Sequence, residues 1–218
     1  MEAPESGALR TDNPLAAAPQ GVVHVVDDDD AVRDSLAYLL TAAGLIVRTH
    51  ASAEALLAGA DAGLEQGCVL TDVRMPGLDG LALQRRLAAL DPPFAVVVMT
   101  GHGDVPLAVR AMKAGAVDFL QKPFSESQLL AAVHQALAAQ QRLAAAAAAA
   151  ETAAARLNSL TRREREVLDG LVAGHQTKVI AQALGASPRT IEVHRGRVME
   201  KLGVQSLPDL VRLVQAAG

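Results

Sequence analysis

Residues 21–30 read GVVHVVDDDD, a mostly apolar run from Val22 to Val26 that ends in four consecutive aspartates, Asp27 to Asp30. The β-branched run has the composition of a strand buried on both faces, the strand type of parallel sheets. Crowded carboxylates are costly unless something cationic neutralises them. The stretch therefore predicts a buried strand whose carboxyl end is a charged site with a positive partner.

Working outward, Leu45 to Val47, Cys68 to Leu70, Ala95 to Met99 and Val117 to Leu120 are further short apolar runs. Helix-period segments separate them: Val32, Leu36, Leu39 and Ala43 recur at steps of 4, 3 and 4, and Leu81, Leu83, Leu87 and Leu90 can line one side of a helix. Five such strands alternating with helices imply an α/β domain over residues 21–140, built on a doubly wound parallel sheet. Residues 1–20 have neither a basic start nor an apolar core and read as a flexible tail.

The chain has 218 residues, half of them apolar, enough for two domains with real cores. The single cysteine, Cys68, sits in an apolar run where a small buried hydrophobe is expected, which suggests a reducing compartment, the cytoplasm. No membrane-spanning run appears outside an alanine tract. Charge is segregated: Lys and Arg number 8 against 14 Asp and Glu over residues 21–140, but 9 against 6 over residues 159–218. Two domains with different partners follow. Between them, residues 141–158, QRLAAAAAAAETAAARLN, read as a helical or semi-rigid linker.

In a doubly wound sheet ligands bind at the carboxyl ends of the strands. Asp27 and Asp28 end the first strand, Asp72 the third, Thr100 the fourth and Lys122 the fifth. Carboxylates from neighbouring strands make the oxygen-rich pocket that Mg²⁺ takes, with water filling its remaining positions, and the metal supplies the positive charge the aspartates lack. A nucleotide or flavin site would want backbone amides after the first strand, and four aspartates there would repel phosphate. What remains is a carboxylate that meets a transferable phosphoryl group, with an ammonium opposite. Asp29, Asp30, Asp79 and Asp104 read as capping, first-turn and turn residues.

These residues, with TDVRMPGLDG at 71–80 and VMTGHGDVPLAVRAMKAGAVDFLQKPF at 98–124, resemble the two-component response regulators, and the second string is especially close to the FixJ group. The resemblance implies a flavodoxin-like receiver with strand order 2-1-3-4-5. It implies that Asp72 accepts the phosphoryl group, that Asp28, Asp72 and the carbonyl of Arg74 ligate Mg²⁺, and that Asp27 acts largely through water. Thr100 and Lys122 would bind phosphoryl oxygens, Phe119 would be the aromatic switch, and Lys122-Pro123 would be cis. An aspartate-nucleophile phosphatase fits less well, because its DxDx[TV] pattern is missing after Asp72.

From Ser159 the punctuation is helical. Thr161 to Glu164 spell a capping box, Gly174 closes that helix, Ser187-Pro188 opens another, and Ser206 to Asp209 repeat the capping pattern. Four short helices result, with helix-turn-helix spacing around a tight turn at Gly185-Ala186. On a helical wheel Ile191, Val198 and Leu202 share one side, while Arg189, Val193, Gly196 and Glu200 oppose them. Glu192 and Val193 suit contacts to base edges, and Gly196 allows close backbone approach. Lys178, Thr190, Arg195, Arg197 and Lys201 suit phosphates. The segment from LTRREREVLDGLVAGHQTKVIAQ to SPRTIEVHRGRVMEKL resembles the LuxR-type, or FixJ/NarL-type, output domain. The combined resemblance implies a transcription regulator rather than an enzyme. Its partners would be a sensor histidine kinase, double-stranded DNA, RNA polymerase and, once phosphorylated, a second copy of the chain.

Overall fold

The computed structural model describes residues 21–217 apart from 61–62 and 102–104, so the expected tail at 1–20 and the turn residue Asp104 lie outside the described residues. The chain divides into two compact units, Met1–Gln141 and Arg142–Gly218.

The first unit is built on strands β1 Val22–Val26, β2 Ile46–His50, β3 Gly67–Asp72, β4 Ala95–Thr100 and β5 Asp118–Gln121. They form one parallel sheet in the order β2-β1-β3-β4-β5. The order puts β1 and β3 side by side, so Asp27 and Asp72 leave neighbouring strands at the same edge. Helices α1 Asp30–Ala42, α2 Ala53–Ala60, α3 Gly80–Ala88 and α4 Val105–Lys113 connect the strands, and α5 Glu126–Asn158 follows β5.

Every residue of β1, β3 and β4 is buried, as strands covered on both faces require. Their alternate side chains feed two cores. One joins Val23, Val25, Leu70 and Val97 to Leu36 and Leu40 of α1 and Leu129, Val133 and Leu137 of α5. The other joins Val26, Val69, Val96 and Val98 to Leu56, Leu83, Leu87 and Leu107. β2 is longer and more polar than its apolar core suggests, running through Arg48 and Thr49, because at the sheet edge only its pairing to β1 fixes it. Leu90 lies past the end of α3 and is only partly buried.

Local chemistry sets the helix ends. Asp29 caps α1 by accepting from the amides of Ala31 and Val32, and Asp79 caps α3 through Ala82. The peptide bonds Lys122-Pro123 and Asp91-Pro92 are both cis.

α5 is one continuous helix of 33 residues that includes the whole alanine-rich stretch. Its C-terminal part belongs to the second unit, where Ala153 and Leu157 are buried. The seven-alanine run at 144–150 is exposed or half-buried, and burial begins only beyond it.

The second unit adds α6 Arg162–Val172, α7 Thr177–Ala183, α8 Pro188–Leu202 and α9 Leu207–Ala216. The Thr161–Glu164 capping box forms with both of its hydrogen bonds. Pro188 sits at the start of α8 behind the Ser187 cap, and Ser206 caps α9. Gly185 has φ +60°, a left-handed backbone that glycine adopts without strain, and it makes the turn between α7 and α8. Val167, Leu168, Ile180, Ile191, Val198, Leu202 and Leu210 form the core. No helix among the described residues is long and apolar enough to cross a membrane.

Candidate functional site

The edge where β1, β3 and β5 end gathers the residues singled out by the sequence. Lys122 Nζ donates to Asp27 Oδ2 at 2.7 Å and to Asp72 Oδ1 at 2.8 Å. Asp72 is almost buried, and its second oxygen accepts the Arg74 amide at 2.6 Å. Burial works against the Lys122 ammonium, but the hydrogen bonds and negative charges of Asp27 and Asp72 together outweigh it and raise its pKa above the ordinary lysine value.

Asp27 is 2% exposed and every polar group it has is engaged. Its amide donates to the His50 carbonyl, its carbonyl accepts from Arg33 at 2.7 Å, and its Oδ1 accepts the Asp29 amide at 3.1 Å. Arg33 also pairs with Asp30. The sequence reading assigned neutralisation of the aspartates to a metal; Lys122 and Arg33 already supply two cations. Arg33 was missed because it stands six residues beyond Asp27 on a helix, and only the folded turn brings its guanidinium back to the strand end.

Asp28 is exposed and has no hydrogen-bond partner among the described residues. It lines a cleft of about 650 Å³ with Val73, Arg74, Met75, Leu107 and Arg110. Among the described residues no three acidic, thiol or imidazole side chains gather closely enough to hold a metal by themselves. The donors at this edge are all oxygens: the Asp28 and Asp72 carboxylates and the Arg74 carbonyl. Such a set fits Mg²⁺, which is bound through one or two carboxylates and keeps several waters.

Thr100, 1% exposed, ends β4 beside Lys122, whose amide donates to the Thr100 carbonyl at 2.7 Å. Phe119 on β5 is partly buried against the second core. Glu54 on α2, which the sequence reading passed over, accepts the Leu78 amide at 2.8 Å.

In the second unit α8 turns Ile191, Val198 and Leu202 inward, while Arg189, Thr190, Val193, Gly196 and Arg197 are exposed, as is Lys178 on α7. Val193 is 50% exposed, a large apolar side chain left in solvent. A Cβ on Gly196 would meet nothing within 4 Å, so any close approach there comes from outside the unit.

Three residues assigned to DNA have partners within the protein. Lys201 Nζ donates to Glu164 Oε2 at 2.7 Å, and Glu164 itself is buried at the start of α6. The Lys201 hydrogen bond, followed by that of the Thr161 amide, pulls the Glu164 pKa down to about 2. Glu192 accepts from Thr177 Oγ1 at 2.6 Å, and Arg195 stands 3.8 Å from its other oxygen. The wheel could not show Thr177 or Glu164, which lie on other helices, whereas Arg195 and Glu192 are neighbours one turn apart on α8.

Comparison with known proteins agrees with this division. Residues 23–134 match the response regulator receiver domain, and residues 158–214 match the bacterial regulatory proteins of the luxR family. The transcriptional regulatory protein FixJ of Azorhizobium caulinodans is 52% identical over 198 residues, 90% of this chain and 92% of the relative. FixJ of Rhizobium meliloti is 49% identical, covering 90% of this chain and 96% of its own. Among solved structures, the response regulator StyR is 42% identical with a TM-score of 0.73, over 90% of this chain and 98% of that one. Full-length FixJ from B. japonicum is 52% identical with a TM-score of 0.55, over 91% and 97%.

Proposed function

Because the chain belongs to the FixJ-like response regulators, transcription regulators that join a receiver to a LuxR-type DNA-binding domain, we propose that Asp72 is its phosphoacceptor and that modification there controls dimerisation and DNA binding. The observation that carries the reading is the convergence of Asp27 and Asp72 on Lys122, with the next residues in the chain, Asp28 and Val73-Arg74, lining a cleft.

An Asp72 oxygen attacks the phosphorus of a donor, a P–O bond forms, and the bond from phosphorus to the donor nitrogen of a kinase phosphohistidine breaks. Lys122 donates to Asp72 before the transfer and then pairs with the new phosphoryl oxygens. Thr100, at the adjacent strand end, contacts the phosphoryl group and passes the change to Phe119. Asp28, Asp72 and the Arg74 carbonyl would hold Mg²⁺, with Asp27 acting through Lys122 and water. When bound, the ion supplies charge that offsets the developing negative charge on the phosphoryl oxygens.

In the output unit Val193 and Gly196 face the bases, and Lys178, Arg189, Thr190 and Arg197 face phosphates. Glu192 and Arg195 organise the surface where α7 meets α8, and Lys201 ties α8 to α6. The receiver face that pairs with a second copy centres on Val109 and Met112 of α4, both about half exposed at 45% and 47%. The partners are a sensor histidine kinase, double-stranded DNA and RNA polymerase, and the working compartment is the cytoplasm. Footprinting on the promoter of a neighbouring operon with and without acetyl phosphate tests the whole reading: protection at lower protein concentration with the donor is expected, and identical footprints would overturn it.

A further inference from the structure

The loop after Asp72 carries the Arg74 carbonyl; Met75 seats it in the second core and Leu78 packs against that core, but few hydrogen bonds hold its backbone. Its ends are anchored: the Arg74 amide donates to Asp72 Oδ2, and Asp79 caps α3. Between those anchors, Met75 to Leu78 make one hydrogen bond among the described residues, from the Leu78 amide to Glu54 Oε1 at 2.8 Å. The contact is tight on both sides. Gly77 has φ +77°, and a Cβ there would lie 2.7 Å from the same Glu54 oxygen, so the loop backbone presses directly onto the carboxylate. Only glycine gives both the left-handed turn and that approach.

Glu54 belongs to α2, 18 residues before Asp72, and touches none of the reacting groups. Its position in the first turn of α2 gives it an ordinary occupation as well, since an acid there complements the helix N-terminus. That occupation needs a negative charge near the helix end. The hydrogen bond to Leu78 needs an acceptor oxygen at glutamate's reach, charged or not.

We infer that Glu54 is a positioning residue for the divalent-ion site: by accepting the Leu78 amide across Gly77 it sets the loop that presents the Arg74 carbonyl. The inference rests on the proposed assignment of Asp28, Asp72 and Arg74 as ligands. Residues that orient ligands without binding the metal change affinity by tenfold or more when removed, and Glu54 acts through backbone alone, which puts its effect near the low end.

The test uses the full chain and four variants. Mn²⁺ binding, followed by the loss of its free paramagnetic resonance signal and by Mg²⁺ competition, gives the affinity. Exchange of the Leu78 amide in metal-free protein gives the hydrogen bond independently. Glu54→Gln keeps an acceptor oxygen at the same reach and is expected to match the parent in both. Glu54→Ala and Glu54→Asp are expected to lose Leu78 protection and to weaken Mn²⁺ about tenfold, although the aspartate retains the charge at the helix start. The inference is overturned if Glu54→Asp behaves as the parent while Glu54→Gln behaves as alanine, which would make the residue a helix-end charge, or if all three leave Mn²⁺ affinity unchanged. The fourth variant, Asp72→Asn, separates the two levels. If the parent and Asp72→Asn bind Mn²⁺ alike, the ligand assignment itself has failed, whatever Glu54 does.

Discussion

Lys122 and Asp72 lie 50 residues apart in sequence and 2.8 Å apart in the fold, the ammonium donating to the oxygen that faces away from the Arg74 amide. The lysine stem is 25% exposed and the aspartate side chain 11%, so the pair is shielded from water. The same ammonium donates to Asp27, so one cation pairs with the carboxylates at two neighbouring strand ends.

Asp72 is expected to take all of the phosphoryl label. Full-length protein incubated with a labelled small phosphodonor and Mg²⁺ should incorporate hydroxylamine-sensitive label, and Asp72→Asn should incorporate none. Label persisting on the variant would place the acceptor elsewhere among the aspartates.

Val193 and Lys178 are expected to fail differently on DNA. Val193→Ala should relax preference at one base step by about 1 kcal/mol, with the slope of affinity against salt unchanged. Lys178→Ala should weaken every sequence alike and reduce that slope by about one. Binding measured on matched and mismatched duplexes across salt concentrations distinguishes them, and swapped behaviour would reverse the assignments.

The Glu164–Lys201 pair makes the output unit acid-sensitive. Folding holds the Glu164 pKa near 2, below the ordinary 4.5, so the folded state binds fewer protons and the contribution is complete above pH 4.5. It is lost as pH falls from 4.5 toward 2. Lys201→Met should therefore raise the pH at which the helical unit loses its far-ultraviolet dichroism on acid titration; an unchanged acid midpoint would show that the pair contributes nothing.

Leu202, fully buried at the end of α8, tests whether the units fail separately. Leu202→Ala should cost about 2–5 kcal/mol in the output unit and abolish DNA binding at physiological temperature. Labelling of Asp72 should survive. Loss of labelling as well would mean that the receiver depends on an intact output core.

Phosphorylation is expected to shift the chain from monomer to dimer. Moving the competent state from about 1% to about 99% requires about 5.5 kcal/mol of preference, and paired output units gain effective concentration on two half-sites. Light scattering on the full chain with and without beryllofluoride and Mg²⁺ should double the mass. Substituting Met112 by glutamate should block the change, and a monomer in both conditions would leave unmasking of the output unit as the mechanism.

Sequence pattern alone marked the strands and the capped helix starts, although β2 runs further than its apolar core. Strand composition marked β1, β3 and β4 because a short apolar run rich in β-branched residues is too brief for a buried helix and fits a strand covered on both faces. Thr161, Ser187 and Ser206 announced their helix starts because a cap needs only residues three apart. It also determined that Asp27, Asp72, Thr100 and Lys122 meet, since each closes a strand of one parallel sheet. Packing across elements decided which partner each long polar side chain finds. Arg33 reaching back to Asp27, Glu54 holding Leu78, Thr177 holding Glu192 and Lys201 turned from solvent to Glu164 all depend on where long side chains land across separate elements. Sequence spacing fixes the direction in which a Cβ leaves the backbone; a flexible stem of several bonds then chooses its partner from whatever packing places within reach.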